Sequence, residues 1–182
     1  MNFVTPQFDT EFERLLDQAR EFLGDGDDDR LPEANVAVNQ ALVLRPESVD
    51  GWLLKCQVAS ATGDDIAALA AAEMALARAP ERAETMYWRG AVLGDLGRHR
   101  EALRAIESAL HALTIEDSWL VEDLYYEKVT LLDALGLHEA AVATAEQGLQ
   151  RVPGSPLLRA ALIPAERARV RSSLKVLRGG AL

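Results

Sequence analysis

A chain of 182 residues, 49% hydrophobic and 26% charged, is long enough to bury a sizeable core in one domain or in one short array of repeats. Its formal charge of −10 argues against a nucleic acid partner, since a phosphate backbone needs a basic surface. A single cysteine, Cys56, excludes an intrachain disulfide and a thiolate metal cluster.

The N-terminal stretch MNFVTPQFDTEFERLL has no basic leader followed by an apolar run, and no stretch reaches the length of a membrane span. A cytoplasmic location is therefore expected, and membrane association is not. The first predicted helix covers residues 9–23, with Leu15, Ala19 and Phe22 facing inward. The turn 24–32 follows and is rich in aspartate. The spacing of Asp25, Asp27 and Asp29 is that of the start of a calcium loop. However, Arg30 stands where such a loop needs glycine, and Val36 where it needs the closing glutamate, so a solvated turn and no metal are expected. A second helix carries Ala34, Val38, Ala41 and Leu42 and is stopped by Pro46.

From here the chain repeats itself. Pro46 and Pro80, Trp52 and Met86, and Gly63 and Gly97 lie 34 residues apart. So do the members of three series: Ala34, Ala68 and Ala102; Ala41, Ala75 and Ala109; Leu42, Leu76 and Leu110. The pattern returns 39 residues on, at Tyr125, Gly136, Ala141, Gly148, Leu149 and Pro153. Each position has a physical reason. The glycines at 63, 97 and 136 end the first helix of a pair in a left-handed conformation. Small residues at 68, 102 and 141 let the second helix come close. The leucines at 42, 76, 110 and 149 are expected on its buried stripe, and prolines 46, 80 and 153 end it.

A helix–turn–helix period of this length, with an aromatic near the start, a central glycine, two small-residue slots and a closing proline, resembles the tetratricopeptide repeat (TPR). The matching segments are 49–80, 83–114 and 122–153, preceded by a degenerate repeat at 9–46. Gly90 fits the small slot of the first helix, whereas Cys56 and Val129 fill it less typically. Met86 and Tyr125 replace the family's tryptophan, and Thr114 replaces a closing proline. The resemblance implies an all-α, right-handed α-solenoid of about four helix pairs over residues 1–156. Residues 157–182 would form a basic C-terminal capping helix and tail.

It also implies a concave groove lined by the first helices of successive pairs. The matching positions are Leu53 and Gln57, Tyr87 and Ala91, and Tyr126 and Thr130, with Asp50, Glu84 and Asp123 near the helix starts and Asp133 near the end of the last. The first repeat adds Leu16 and Arg20. The lysines, arginines and asparagines with which co-chaperone members clamp a C-terminal carboxylate are missing at these positions. The expected partner is thus a protein or peptide segment of basic and apolar character, bound by an adaptor or scaffold that performs no chemistry. Trp52 and Trp88 are expected to be structural and Trp119, in the longer linker, exposed.

No enzyme is expected. His99, His111 and His138 are spread along the chain, Cys56 suits a packing slot, and no glycine-rich phosphate loop is present. No cofactor is implied. Residues 157–182 hold six basic residues and one acidic residue. Arg167, Arg169, Arg171, Lys175 and Arg178 surround Val170, Leu174 and Leu177, and the helix is expected to break before Pro164. Two other functions stay open: a dedicated chaperone or assembly factor for one client, and a self-assembling or membrane-peripheral scaffold built through this basic helix.

Overall fold

In the computed structural model the backbone is described for residues 6–24 and 28–179, and side chains for residues 10–24, 29–172 and 174. The regular elements of the described residues are all helices, without a strand, and the chain falls into two compact units, Met1–Val92 and Leu93–Leu182. Asp25 and Asp27 of the aspartate-rich turn, and the side chains of Lys175, Leu177 and Arg178, lie outside the described residues.

The first unit holds α1 (Pro6–Gly24), α2 (Leu31–Leu44), α3 (Val49–Ala61), α4 (Asp65–Arg78) and most of α5 (Ala83–Asp95). Helix α1 packs on α2, α3 on α4, and α1 and α2 also meet α3. Phe12, Leu15, Leu16 and Ala19 of α1 close over Ala37, Val38 and Ala41 of α2, with Leu54 of α3 beneath. Phe22 is only half-buried, and the Arg30 guanidinium stacks 4.2 Å from its ring centre. Ser48 caps α3, accepting the Gly51 N–H at 3.0 Å, and Asp64 caps α4, accepting the Ala67 N–H at 3.0 Å. Trp52 has a structural place: its indole N–H donates to the Pro46 carbonyl at 2.7 Å, and the Arg78 guanidinium lies 5.3 Å from its ring.

The second unit holds the end of α5, α6 (His99–Ala112), α7 (Val121–Ala134), α8 (His138–Arg151) and α9 (Pro156–Gly179). Helix α7 packs on α6 and α8, and α9 packs on both α7 and α8. Val129 and Leu132 of α7, Ala141, Val142 and Ala145 of α8 and Ala165 of α9 form its core. At the start of α9, the buried Ser155 hydroxyl accepts the Leu158 N–H at 2.9 Å and donates to the Glu122 carboxylate on α7.

Two expectations are corrected. Helix α9 runs unbroken through Pro164. Its two halves bury Leu158 on one side of the proline and Ala165 and Ala168 on the other, while the proline itself is exposed. That shared burial outweighs the lost backbone bond. The stripe of leucines is fully buried only at Leu42; Leu76, Leu110 and Leu149 are half-buried. The fully buried seam of the second helices runs instead through Ala41, Ala75, Ala109 and Gly148, where the side chain is too small to hold neighbouring helices apart.

Gly63, Gly97 and Gly136 have φ of 72°, 71° and 75° in the turns after α3, α5 and α7. A Cβ at any of them would meet nothing within 4 Å, so only the backbone conformation requires glycine. Gly97→Ala is therefore expected to cost about 1–2 kcal/mol in urea unfolding, with no change in helical circular dichroism. Unchanged stability would show that the turn relaxes to a right-handed form.

Candidate functional site

The predicted groove residues fall in both units. In the first, they converge on a residue that the spacing did not single out. Arg82, in the link before α5, places one Nη 2.7 Å from the Asp50 carboxylate on α3 and the other against the Glu84 carboxylate on α5. With Arg20 of α1 and Leu53, Leu54 and Gln57 of α3, these residues line a shallow depression of about 240 Å³. Leu53 is buried at its base and Gln57 half-buried beside it. Asp50 and Glu84 thus do not form an unpaired acidic edge, because Arg82 bridges them both and offsets one of their two charges. Tyr87 and Ala91 follow on the next turns of α5, half-buried. The Tyr87 ring lies edge-on to Trp88, with centres 5.3 Å apart. Leu16, by contrast, belongs to the core.

In the second unit, Asp123, Tyr126 and Thr130 occupy one face of α7, opposite its buried Val129 and Leu132. Glu127, four residues after Asp123, joins that face. Burial pushes the Asp123 carboxyl above its ordinary range, with the neighbouring Glu122 charge adding to it. Burial likewise raises the Glu127 carboxyl, helped by the charges of Asp95 and Asp123. Among the described residues, neither side chain has a cation within ion-pairing distance. Lys128, next in sequence, is turned to Glu107 of α6 at 3.0 Å. Asp133 is engaged elsewhere: its carboxylate lies 2.7 Å from His138 Nδ1 across the Gly136 turn. Helical spacing from Asp123 would have found Glu127; the Arg82–Asp50 pairing joins positions 32 apart and has no local signal.

A carboxyl raised by burial and like charge makes the folded state bind protons more tightly than the unfolded one. Its charge opposes folding at neutral pH, and stability rises as pH falls through the raised value. Glu127→Gln is accordingly expected to raise the melting temperature at pH 7, and the gain should shrink on acidification towards the ordinary glutamate range. A gain independent of pH would show that the charge is not the cause.

Burial pushes the Cys56 thiol up to about 12, so it is no nucleophile at neutral pH. Among the described residues, no three His, Cys, Asp or Glu side chains are grouped to hold a metal ion, and no helix is long and apolar enough to cross a membrane.

Solved structures share this arrangement of helices at low sequence identity. The crystal structure of MamA protein is 18% identical and superposes with a TM-score of 0.69, over 92% of this chain and 88% of that one. Pseudomonas aeruginosa pilF is 17% identical at a TM-score of 0.73, over 89% and 75%. TTC0263, a thermophilic TPR protein of Thermus thermophilus, is 21% identical at 0.71, over 85% and 80%. The chain has a TPR-like helical-repeat fold. No family model matches the sequence, and no curated protein is similar enough to count as a relative. Within this TPR-like frame, α3, α5 and α7 are the helices that follow the links at Pro46, Pro80 and Thr114, as the repeat spacing requires.

Proposed function

We propose that this protein is a non-enzymatic, TPR-like adaptor that binds a segment of another protein bearing basic and apolar side chains. In this reading α1–α2, α3–α4, α5–α6 and α7–α8 are its four repeats, right-handed in their succession, and α9 is the cap. The observation that carries it is the α7 face, where the half-buried Asp123 and Glu127 flank Tyr126 and Thr130 without a cation of their own among the described residues. Carboxylates held partly out of water favour a cation that water does not. An arginine or lysine supplied by a partner restores their ordinary ionisation, and the tyrosine offers an apolar ring with a polar tip to the same segment. Gln57, Glu84, Tyr87 and Ala91, above the buried Leu53, are the corresponding groove positions of the first unit. Arg82 there tempers the acidity, so the strongest demand for positive charge lies on α7.

An array of immobilised peptides tests this directly. Binding is expected on peptides that combine arginine or lysine with leucine or phenylalanine. It should weaken as pH falls through the raised carboxyl values of Asp123 and Glu127, because protonation removes the charge that the cation needs. Preference for acidic peptides would reject the reading.

A further inference from the structure

The link between α6 and α7 carries two apolar side chains held out into solvent. Ile115 is 92% exposed and Trp119 58%. The link is nevertheless ordered. The Asp117 carboxylate accepts the Thr114 N–H at 2.9 Å and the Thr114 hydroxyl at 2.7 Å, and the fully buried Leu120 anchors its far end. Isoleucine and tryptophan on so fixed a platform make a preorganised knob, which loses little freedom on docking. Its neighbour Glu116 is acidic and exposed.

Helix α9 has the complementary character. Its docked face is formed by Leu158, Ala165 and Ala168. A capping helix should turn a polar face outward. Here Ile163, Val170 and Leu174, spaced along the opposite side, are 50%, 52% and 49% exposed. Arg167 lies within that stripe and Arg171 beside it, and neither has a carboxylate partner among the described residues.

We propose that the Ile115–Trp119 knob of one copy docks on the Ile163–Leu174 stripe of α9 in a second copy. An acidic apolar knob and a basic apolar stripe on one chain match in both charge and hydrophobicity. The contact is heterologous, since a pair leaves a stripe unused on one copy and a knob unused on the other, and so it adds copies head to tail. An anionic bilayer fits the stripe less well: the chain carries a net charge of −10, and the stripe has no aromatic side chain to hold an interface. This proposal is independent of the α7 face and survives or fails without it.

Sedimentation of the full chain tests it with two variants, Ile115→Ser/Trp119→Ser and Val170→Glu/Leu174→Glu. Wild-type mass is expected to rise with concentration, and less so in high salt. Each variant alone should associate at least about tenfold more weakly. Mixed one to one, the two should form a heterodimer that grows no further, because the mixture retains one intact knob and one intact stripe per pair. Circular dichroism checks the folding of each; should the double glutamate variant unfold, Arg167→Glu replaces it, with the same expectation. A wild-type chain that stays monomeric at every concentration overturns the proposal. So does a mixture that fails to pair, which would mean a symmetric contact. Binding of wild type, but not of the α9 variant, to phosphatidylserine vesicles with no change of mass in solution would give the stripe to a membrane instead.

Discussion

Leu158→Ala is expected to lower the unfolding free energy by about 2–5 kcal/mol in urea denaturation, the range for truncating a fully buried leucine that leaves a cavity. Leu158 is completely enclosed near the start of α9, and its Cδ1 sits where a Cβ on Gly148 of α8 would fall, at 2.9 Å. The same glycine predicts a second loss. A Cβ at position 148 would also lie 2.9 Å from the Tyr125 Cβ, which is one bond from the α7 backbone and cannot swing aside. Overpacking costs about 1–3 kcal/mol, against a gain of roughly 1 kcal/mol from replacing glycine in a helix, so Gly148→Ala should destabilise. Gly51→Ala is expected to go the other way or be neutral. Its only contact under 3 Å is the end of the flexible Leu42 side chain, so helix propensity wins. Equal effects at the two positions would mean that backbone entropy alone sets the stability of these helices. Leu158 and Gly148 matter for more than stability, because α9 can present its outer stripe only while its inner face stays docked on α7 and α8.

The second large effect is on binding. Tyr87→Ala/Tyr126→Ala is expected to weaken the partner complex by about 30-fold or more, the consequence of losing an aromatic anchor worth at least about 2 kcal/mol. Tyr87→Phe/Tyr126→Phe keeps the ring and separates packing from the hydroxyl. Tyr125 supplies the contrast. It is adjacent in sequence to Tyr126, yet its ring and Cβ pack over Gly148, so Tyr125→Ala should cost stability and leave the binding face chemically intact. Parallel losses of stability and affinity in the Tyr87/Tyr126 variant would place those rings in the packing and remove them from the site.

Helix succession was legible wherever a local property dictates it. The left-handed turns at Gly63, Gly97 and Gly136, and the small residues Ala68, Ala102 and Ala141 in the packed seam, follow from backbone sterics and side-chain size, which a period in the sequence displays directly. Pro164 did not break its helix, because the outcome depends on burial to either side of it, which only the packed chain sets. The half-burial of Leu76, Leu110 and Leu149 has the same origin, since their neighbouring alanines and Gly148 occupy the closest approach. At the candidate site, residue types at groove positions were legible but their ion-pair partners were not. Asp50 pairs with Arg82 from 32 residues away, Arg82 also holds Glu84 two residues on, and Asp133 turns to His138. Glu127 completes the α7 face through helical spacing alone.

The most direct test of the proposed function is affinity capture from the native cell with wild type and with Tyr87→Ala/Tyr126→Ala, each first shown to be folded. One or a few partners are expected, with a bound segment that is basic and apolar, released by salt and missing from the variant. A partner held equally well by both chains would contradict it and move the binding surface off the α5 and α7 faces.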